Sequence, residues 1–495
     1  VRILFAGSEV TPFSKSGGLA DVAQSLPDAL HRLGHDVSVP TPAHRSVFLT
    51  DHPIEPTGIP FDVPIGNKIV SGRLLRARSE SGVPTYFVDQ PEYFDRAELY
   101  REAGRDYDDN CERFTFFCRA VLESARLLGG HFDVVHANDW QCGLIPAYLR
   151  LEYAHTRGYE SIASIFTIHN MAYQGTFWHW DMLLTGIDWR YFNWKQMEFY
   201  GQLNLLKTGL VFADRITTVS RRYAEEICES PLGCGLEGVL QHRKHVLHGI
   251  LNGVNYDDWN PETDPRLARR YSIDDWASGK AENKRRLQEE LGLPTLADVP
   301  LIGVIGRLAD QKGWDLIADV IGRWASREDA QWVILGTGER AYVDLLGQLA
   351  AEYPGRIAAR FAFSEPLAHR IEAGADMFLM PSRFEPCGLN QLYSLKYGTV
   401  PIVRATGGLA DTITDAAPEH LEAGIANGFS FEPYDVASLD ETLTRACGVY
   451  RTDRPSWRRL VEIGMRQDWS WDESASQYVQ LYDEALAAKR VPASV

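Results

Sequence analysis

Paired cysteines are missing from this chain of 495 residues. Its seven cysteines, at 111, 118, 142, 228, 234, 387 and 447, are scattered and odd in number. No tight Cys-x-x-Cys pair suggests zinc and nothing resembles a disulfide framework, so a reducing compartment is expected, with the cytoplasm as the simplest choice. Long apolar runs are missing too: no stretch of about 18 apolar residues exists to span a membrane. The opening residues already read as a strand, so no secretory signal is expected, although the first residue is Val rather than Met. Positive charge is scarce. Fifty Lys and Arg stand against 67 Asp and Glu, a net charge of −17. That argues against a general binder of nucleic acid or anionic membrane. It also means that an anionic ligand must be held by a few local cations. Short-period repeats and low-complexity tracts are absent as well. What remains is an ordinary globular composition, 45% hydrophobic and 24% charged, in a chain long enough for about two to four domains, each with its own core.

The most informative stretch runs over residues 380–411. An apolar run at 376–380 reads as a buried strand, stopped by Pro381. Glu385 lies in the loop before a helix expected over 388–397, which Gly398 ends. Residues 400–403 read as a second strand, and Gly407-Gly408 turn the chain into another helix. In an open parallel sheet, ligands bind outside the carboxyl ends of the strands, where both loops lie. Backbone N–H groups at helix starts favour an anion, and Glu385 supplies an acceptor for hydroxyls. A phosphorylated sugar suits that pairing. The pentapeptide Gly407-Gly408-Leu409-Ala410-Asp411 also repeats, letter for letter, Gly17-Gly18-Leu19-Ala20-Asp21. Either Gly-Gly merely makes a tight turn in both places, or two doubly wound domains each present a ligand-facing loop.

The remainder supports the second reading. Residues 2–7, 35–39, 83–88, 132–136, 164–168 and 215–219 read as strands, and 19–33 as a helix that Pro27 breaks or kinks. Residues 90–110 are polar and irregular, and 257–265 read as a linker. A second βα series has strands at 301–305, 331–335, 360–363, 377–380 and 400–403. At the end, Ser470-Trp-Asp-Glu473 has the form of a capping box, followed by the apolar stripe Ala475, Tyr478, Val479, Tyr482 and Leu486, so an amphipathic helix docked on a domain is expected.

Several residues carry chemistry. Arg307 follows a strand, and Lys312-Gly313 comes five residues later. A planar fork and a point charge at one strand tip suit a diphosphate, or are a pair of surface charges. Lys15, in its Gly-rich loop, has the same two readings. His169 at a strand tip is a base, a donor to a sugar hydroxyl, or a structural histidine; a lone His favours the last, while neighbouring Asn170 and the tip residue Asp139 add weight to function. Glu385 binds hydroxyls or caps the helix after it. Trp178, Trp180, Trp189 and Trp194 cluster with Phe177, Tyr191 and Phe192, as a sugar platform or as core. Asp106-Tyr107-Asp108 has a carboxylate-x-carboxylate form but follows no strand, so a solvated loop without metal is expected.

These residues together resemble the bacterial glycogen synthases and plant starch synthases, retaining glucosyltransferases of family 5. The matching segments are Lys15-Ser-Gly-Gly-Leu19, Val-Val-His-Ala-Asn-Asp-Trp at 134–140, Phe-Thr-Ile-His-Asn at 166–170, Leu-Asn-Gly-Val at 251–254, Lys280-Ala-Glu-Asn-Lys284, Gly-Arg-Leu at 306–308, Gln-Lys-Gly at 311–313, Pro-Ser-Arg-Phe-Glu-Pro-Cys-Gly-Leu at 381–389 and Arg-Ala-Thr-Gly-Gly-Leu-Ala-Asp at 404–411. They span almost the whole chain, in order. The resemblance implies an α/β GT-B fold: two doubly wound, Rossmann-like domains facing a deep interdomain cleft. Residues 1–250 would form the acceptor side, 251–468 the donor side, and 469–495 a helix returning to the first domain.

It further implies retaining, metal-independent transfer of glucose from ADP-glucose to the non-reducing 4-hydroxyl of an α-1,4-glucan. Arg307 and Lys312 would hold the diphosphate, Glu385 the donor glucose, and His169 the sugar near its anomeric carbon. Donor-side residues would be Lys15, Gly17, Gly18, Asp139, Asn252, Lys280, Cys387, Gly388, Leu389, Thr406, Gly407 and Gly408, with Tyr100 and Asn170 on the sugar side. No metal or other cofactor is expected, and the partners are the nucleotide sugar and the glucan. Tyr393 stands where related families carry a second Glu, Asn255 where many members have Asp, Ser16 where many have Thr, and Phe363 where some have Tyr. The ribose contact is therefore expected from elsewhere. The competing readings are a UDP-glucose-dependent transferase of the same fold and a non-catalytic glucan-binding paralogue.

Overall fold

The computed structural model describes residues 1–327 and 330–490. The chain divides into two compact units: Val1–Gly253 together with the segment from Trp471 onward, and Val254–Ser470.

The first unit is built on a nine-stranded sheet. From one edge its strands are Leu247–Gly249, Arg215–Thr218, Ala163–Ile168, Val134–Asn138, Arg2–Ala6, Asp36–Pro42, Pro84–Asp89, Lys68–Arg78 and Glu55–Ile65. The first seven are parallel and the last two antiparallel. Strands such as Val134–Asn138 and Ala163–Ile168 are buried along their whole length, because helices cover both faces of a parallel sheet. Strand order reverses between Arg2–Ala6 and Val134–Asn138, the point where loops part and open a crevice. The long hairpin Glu55–Ile65/Lys68–Arg78 was not legible in the sequence. Pro56, Pro60 and Pro64 argue against a strand, yet they lie on the sheet's edge, where a missing N–H costs no ladder bond.

The helix Gly18–Arg32 runs unbroken through Pro27, against the expected break. Burial decides: Val22, Ala23, Leu26 and Leu30 share one core with Ala475, Tyr478, Leu481 and Tyr482 of the helix Trp471–Arg490. That final helix carries the expected apolar stripe, and the Tyr482 hydroxyl pairs with Nδ1 of buried His136 at 2.8 Å. Its first turn departs from a capping box: the Glu473 carboxylate accepts from Gln477, one turn on.

The second unit has a six-stranded parallel sheet in the order Ile357–Arg360, Gln331–Leu335, Leu301–Ile305, Met377–Met380, Val400–Arg404 and Phe429–Phe431. The strand expected at 360–363 lies three residues earlier, and Phe363 is left exposed. Strand order reverses between Leu301–Ile305 and Met377–Met380. Residues 257–265 are no linker. Asp264 is buried and accepts from His369 Nδ1 and the Tyr397 hydroxyl, each at 2.8 Å. The Trp259 ring is stacked between His369, with centroids 3.6 Å apart, and Tyr393, at 3.8 Å. A polar, proline-bearing stretch thus became part of the core because its acids and aromatics found partners.

Candidate active site

In the second unit, three loops at the strand tips are knitted together. The first follows Leu301–Ile305 and carries Arg307, which is exposed, and Lys312. The second follows Met377–Met380 and carries Ser382 and Glu385; the third is the turn at Thr406-Gly407-Gly408. Lys312 Nζ donates to Glu385 Oε2 at 2.6 Å, and the Ser382 hydroxyl donates to the same oxygen at 2.9 Å. Glu385 is 6% exposed, so its charge depends on these two donors, while Oε1 remains to accept from a ligand. The loops touch backbone to backbone. A Cβ on Gly407 would lie 2.0 Å from the Glu385 carbonyl oxygen, one on Gly408 2.0 Å from that of Cys387, and one on Gly313 2.2 Å from that of Pro381. Gly407 and Gly313 also have positive φ, +47° and +75°, which strains any other residue. Gly408 N–H donates to the Glu385 carbonyl at 3.1 Å. Trp314 Nε1 donates to the Arg307 carbonyl at 2.8 Å, and Arg383 N–H to the Gln311 carbonyl at 2.8 Å. Cys387 is buried beside this turn, and its carbonyl accepts from Gln391 at 3.1 Å. Gly388, at φ +73°, and Leu389 lead into the helix Asn390–Tyr397. The expected diphosphate cations, the carboxylate and the Gly-Gly turn therefore share one rigid group.

In the first unit, a second group forms where strand order reverses. Asp139 has φ +57°, a conformation that costs a non-glycine residue energy, and its Oδ1 accepts the backbone N–H of His169 at 2.7 Å. Burial pushes its carboxyl up to about 7, opposed by the N–H groups of His169 and Asn170. Burial also holds the His169 imidazole down, to about 3, so it is neutral at neutral pH. Asn138 spends its amide N–H on the Ala6 carbonyl at 2.9 Å, turning Oδ1 toward His169 Nε2, 2.9 Å away. In that orientation Nε2 carries the proton and Nδ1 is an acceptor. Tyr100 shares a 2.7 Å hydrogen bond with Ser8, and burial raises its hydroxyl. Glu9, 3% exposed, accepts the Ser16 N–H at 2.6 Å and is pushed up to about 7 by burial. Lys15 pairs with Asp21 at 2.6 Å on the surface, and Gly17 and Gly18 are exposed.

Comparison with known proteins gives this geometry its context. Residues 2–242 match the family model for the starch synthase catalytic domain, and 289–448 that for glycosyl transferases group 1. The chain is 47% identical to a glycogen synthase of Rhodopirellula baltica, over 99% of both chains, and 46% identical to one of Desulforudis audaxviator, over 98% of this chain and 97% of that one. The chain belongs to the glycogen and starch synthase family. Its structure superposes on the catalytic domain of Arabidopsis thaliana starch synthase IV, determined with ADP and acarbose, with a TM-score of 0.90, 32% identity and coverage of 98% and 99%. A sucrose-phosphate synthase from Thermosynechococcus elongatus, at TM-score 0.59 and 18% identity, shares the fold. The protein is thus a glycosyltransferase of GT-B architecture.

Within this glycogen and starch synthase family member, two expected donor residues are buried. Lys280 is buried, and its ammonium is held by Thr399 Oγ1 at 2.6 Å and the carbonyls of Ala373, Glu372 and Tyr397 at 3.0, 3.3 and 3.3 Å. It ties its own helix, Trp276–Leu291, to the ends of the helices Glu365–Gly374 and Asn390–Tyr397. Asn252 is buried in the first unit and its Oδ1 has no protein donor. Conversely, Asn138, Glu9 and Ser382 were missed. Asn138 and Ser382 had a signal: each sits at a strand tip beside a residue already singled out. Glu9 had none, because a loop carboxylate looks solvated until burial is known. Among the described residues, one cluster has metal-ligand spacing, Asp258, Glu365 and His369. Arg266 already bridges its carboxylates, at 2.9 and 3.0 Å.

Proposed function

We propose that the chain transfers glucose from ADP-glucose to the non-reducing 4-hydroxyl of an α-1,4-glucan, with retention of configuration and without a metal. The observation that carries this reading is the loop group of the second unit: Glu385 fixed by Lys312 and Ser382, with Arg307 and the Gly407-Gly408 turn on the same sheet tips. Breaking a glycosyl phosphate loads negative charge on the diphosphate while the sugar becomes oxocarbenium-like. Arg307 and Lys312 stabilise that charge where it develops, a role that elsewhere falls to a divalent ion. Glu385, with one oxygen committed to two donors, accepts a hydroxyl of the donor glucose through the other. Neutral His169 and half-buried Asp139 serve the sugar side.

Retention by double displacement needs two carboxyl groups about 5 Å apart. Glu385 is tied to an ammonium and a hydroxyl, which suits binding better than nucleophilic attack. The reading therefore favours departure and attack on the same face, the leaving phosphate taking the acceptor proton. ADP is the nucleotide named in the starch synthase IV complex, which favours ADP-glucose over UDP-glucose here. Incorporation of radiolabelled glucose into glycogen, with each donor in turn and EDTA present, tests the proposal. Strong incorporation from ADP-glucose alone is expected. Incorporation chiefly from UDP-glucose would overturn the donor, and its abolition by EDTA would overturn metal independence.

A further inference from the structure

Three tryptophans of the first unit stand out of its surface: Trp178 is 62% exposed, Trp180 48% and Trp189 40%. Large aromatic rings contribute most when buried, and a contiguous apolar patch on a surface marks a place where something binds. These rings are contiguous. Trp178 and Trp180 have centroids 6.4 Å apart, and Trp180 and Trp189 5.5 Å. The segment that carries the strip is also anchored beside the sugar-side group. Tyr100 lies 6.5 Å from Trp140, the residue after Asp139, and Trp140 lies 5.7 Å from Phe177, the residue before Trp178. Rings packed against one another, buried Trp140 among them, thus link Tyr100 to Phe177, next in sequence to the strip.

The strip is held in place rather than draped. Thr176–Phe177 pairs with the strand Gln202–Asn204. The Trp178 carbonyl accepts the Asp181 N–H at 2.9 Å, and Trp189 stacks on half-buried Phe192 at 5.1 Å. Buried Lys207 donates to the carbonyls of Trp194 and Glu198, at 2.5 and 2.6 Å, and so fixes the loop beyond. Rings ordered before binding lose little entropy when a ligand arrives.

We propose that Trp178, Trp180 and Trp189 form a platform along which the acceptor α-glucan lies as it leads away from the sugar-side group. The proposal rests on the glucan-synthase reading above and adds a binding surface to it. A pyranose has an apolar CH face matched to an aromatic ring and a polar rim for water, so a polymeric acceptor gains from each ring it crosses. A malto-oligosaccharide too short to reach the strip gains nothing. That difference separates a platform from a residue that merely supports the fold.

The test uses the whole chain as wild type, the double variant Trp178→Ala/Trp180→Ala, and Trp178→Phe/Trp180→Phe, with thermal melts to show that each is folded. Apparent KM is measured for glycogen and for maltotriose, and migration is followed in native gels with and without glycogen. The Ala pair is expected to raise KM for glycogen about tenfold at unchanged kcat, to leave maltotriose unaffected, and to lose its retardation in glycogen gels, with the Phe pair restoring most of both. An unchanged KM for glycogen, or an equal rise for both acceptors, overturns the platform. So does a wild type whose strip proves to be a self-association face, seen as a dimer by light scattering that the Ala pair makes monomeric without altering glycogen binding. Should wild type transfer glucose from neither donor, the glucan-synthase reading fails and the gels still decide the platform: retardation lost only in the Ala pair supports it, and equal or absent retardation overturns it.

Discussion

Gly17-Gly18-Leu-Ala-Asp21 and Gly407-Gly408-Leu-Ala-Asp411 are identical in letters and opposite in circumstance. Both open a helix, Gly18–Arg32 in one unit and Gly407–Thr412 in the other. Gly407 and Gly408 are buried, and a Cβ on either would lie 2.0 Å from a carbonyl oxygen of the neighbouring loop. Gly17 and Gly18 are exposed; a Cβ on Gly17 would meet its nearest atom at 3.9 Å, and one on Gly18 nothing within 4 Å. The lysines beside them differ in the same direction. Lys15–Asp21 and Lys312–Glu385 both measure 2.6 Å, but the side chains of the first pair are 37% and 30% exposed and those of the second 25% and 7%. One loop is locked by its own protein. The other is open, and nothing in the fold crowds its glycines. A repeated motif therefore records a shared type of backbone turn, not a shared reason for it.

Breaking the locked side should have the largest effect. Lys312→Ala removes a cation from the expected diphosphate site and leaves buried Glu385 with Ser382 alone. A fall in kcat of about 10²- to 10³-fold is expected, as for loss of one preorganised donor to a developing charge. Lys15→Ala removes a surface pair worth about 1 kcal/mol or less, so its melting temperature should hardly move. Equal losses of stability in the two variants would erase the distinction. Next in size is the glycine comparison. Gly408→Ala should destabilise by about 3 kcal/mol, since backbone must shift on both loops. Gly18→Ala, at a first helical position with room for a methyl, should fall within about 0.5 kcal/mol of wild type. Its activity is the sharper readout: a large drop in kcat/KM at unchanged stability would show that Gly18 is kept for a ligand's close approach. Denaturant melts alongside glucose-transfer rates check both.

The same contrast explains what was legible in the sequence. The strands Leu301–Ile305, Gln331–Leu335 and Met377–Met380 lie at the expected residues because buried parallel strands are uniform apolar runs, bounded by turn signals. Arg307, Lys312, Glu385 and the Gly-Gly turn were visible for a related reason: each stands just after such a run, where a ligand-facing tip must be. Legibility ended where a residue's role depends on partners far away in the chain. Lys280 satisfies itself on Glu372, Ala373, Tyr397 and Thr399. Residues 257–265 read as a linker because Asp264 and Trp259 find His369 and Tyr397 only in the folded unit. The edge strand Glu55–Ile65 hid behind its prolines. Helix Gly18–Arg32 shows the converse, a local rule about Pro27 overridden by burial.

The smallest expected effect concerns two acids of the first unit. Glu9 and Asp139 both stand at about 7, raised by burial from ordinary values of 4.5 and 3.8. Between those limits the folded chain binds more protons than the unfolded chain. Stability contributed by these groups is therefore full below about pH 4 and is lost as pH rises toward 7. Wild type should melt a few degrees lower at pH 8 than at pH 5 on their account, after subtraction of the change shown by Glu9→Gln/Asp139→Asn. The sign matters more than the size. A carboxylate held below its ordinary range by a cation gives the opposite slope, so an upward slope attributable to Glu9 and Asp139 would mean that they are paired in the folded chain. The open loop would then be a second locked one.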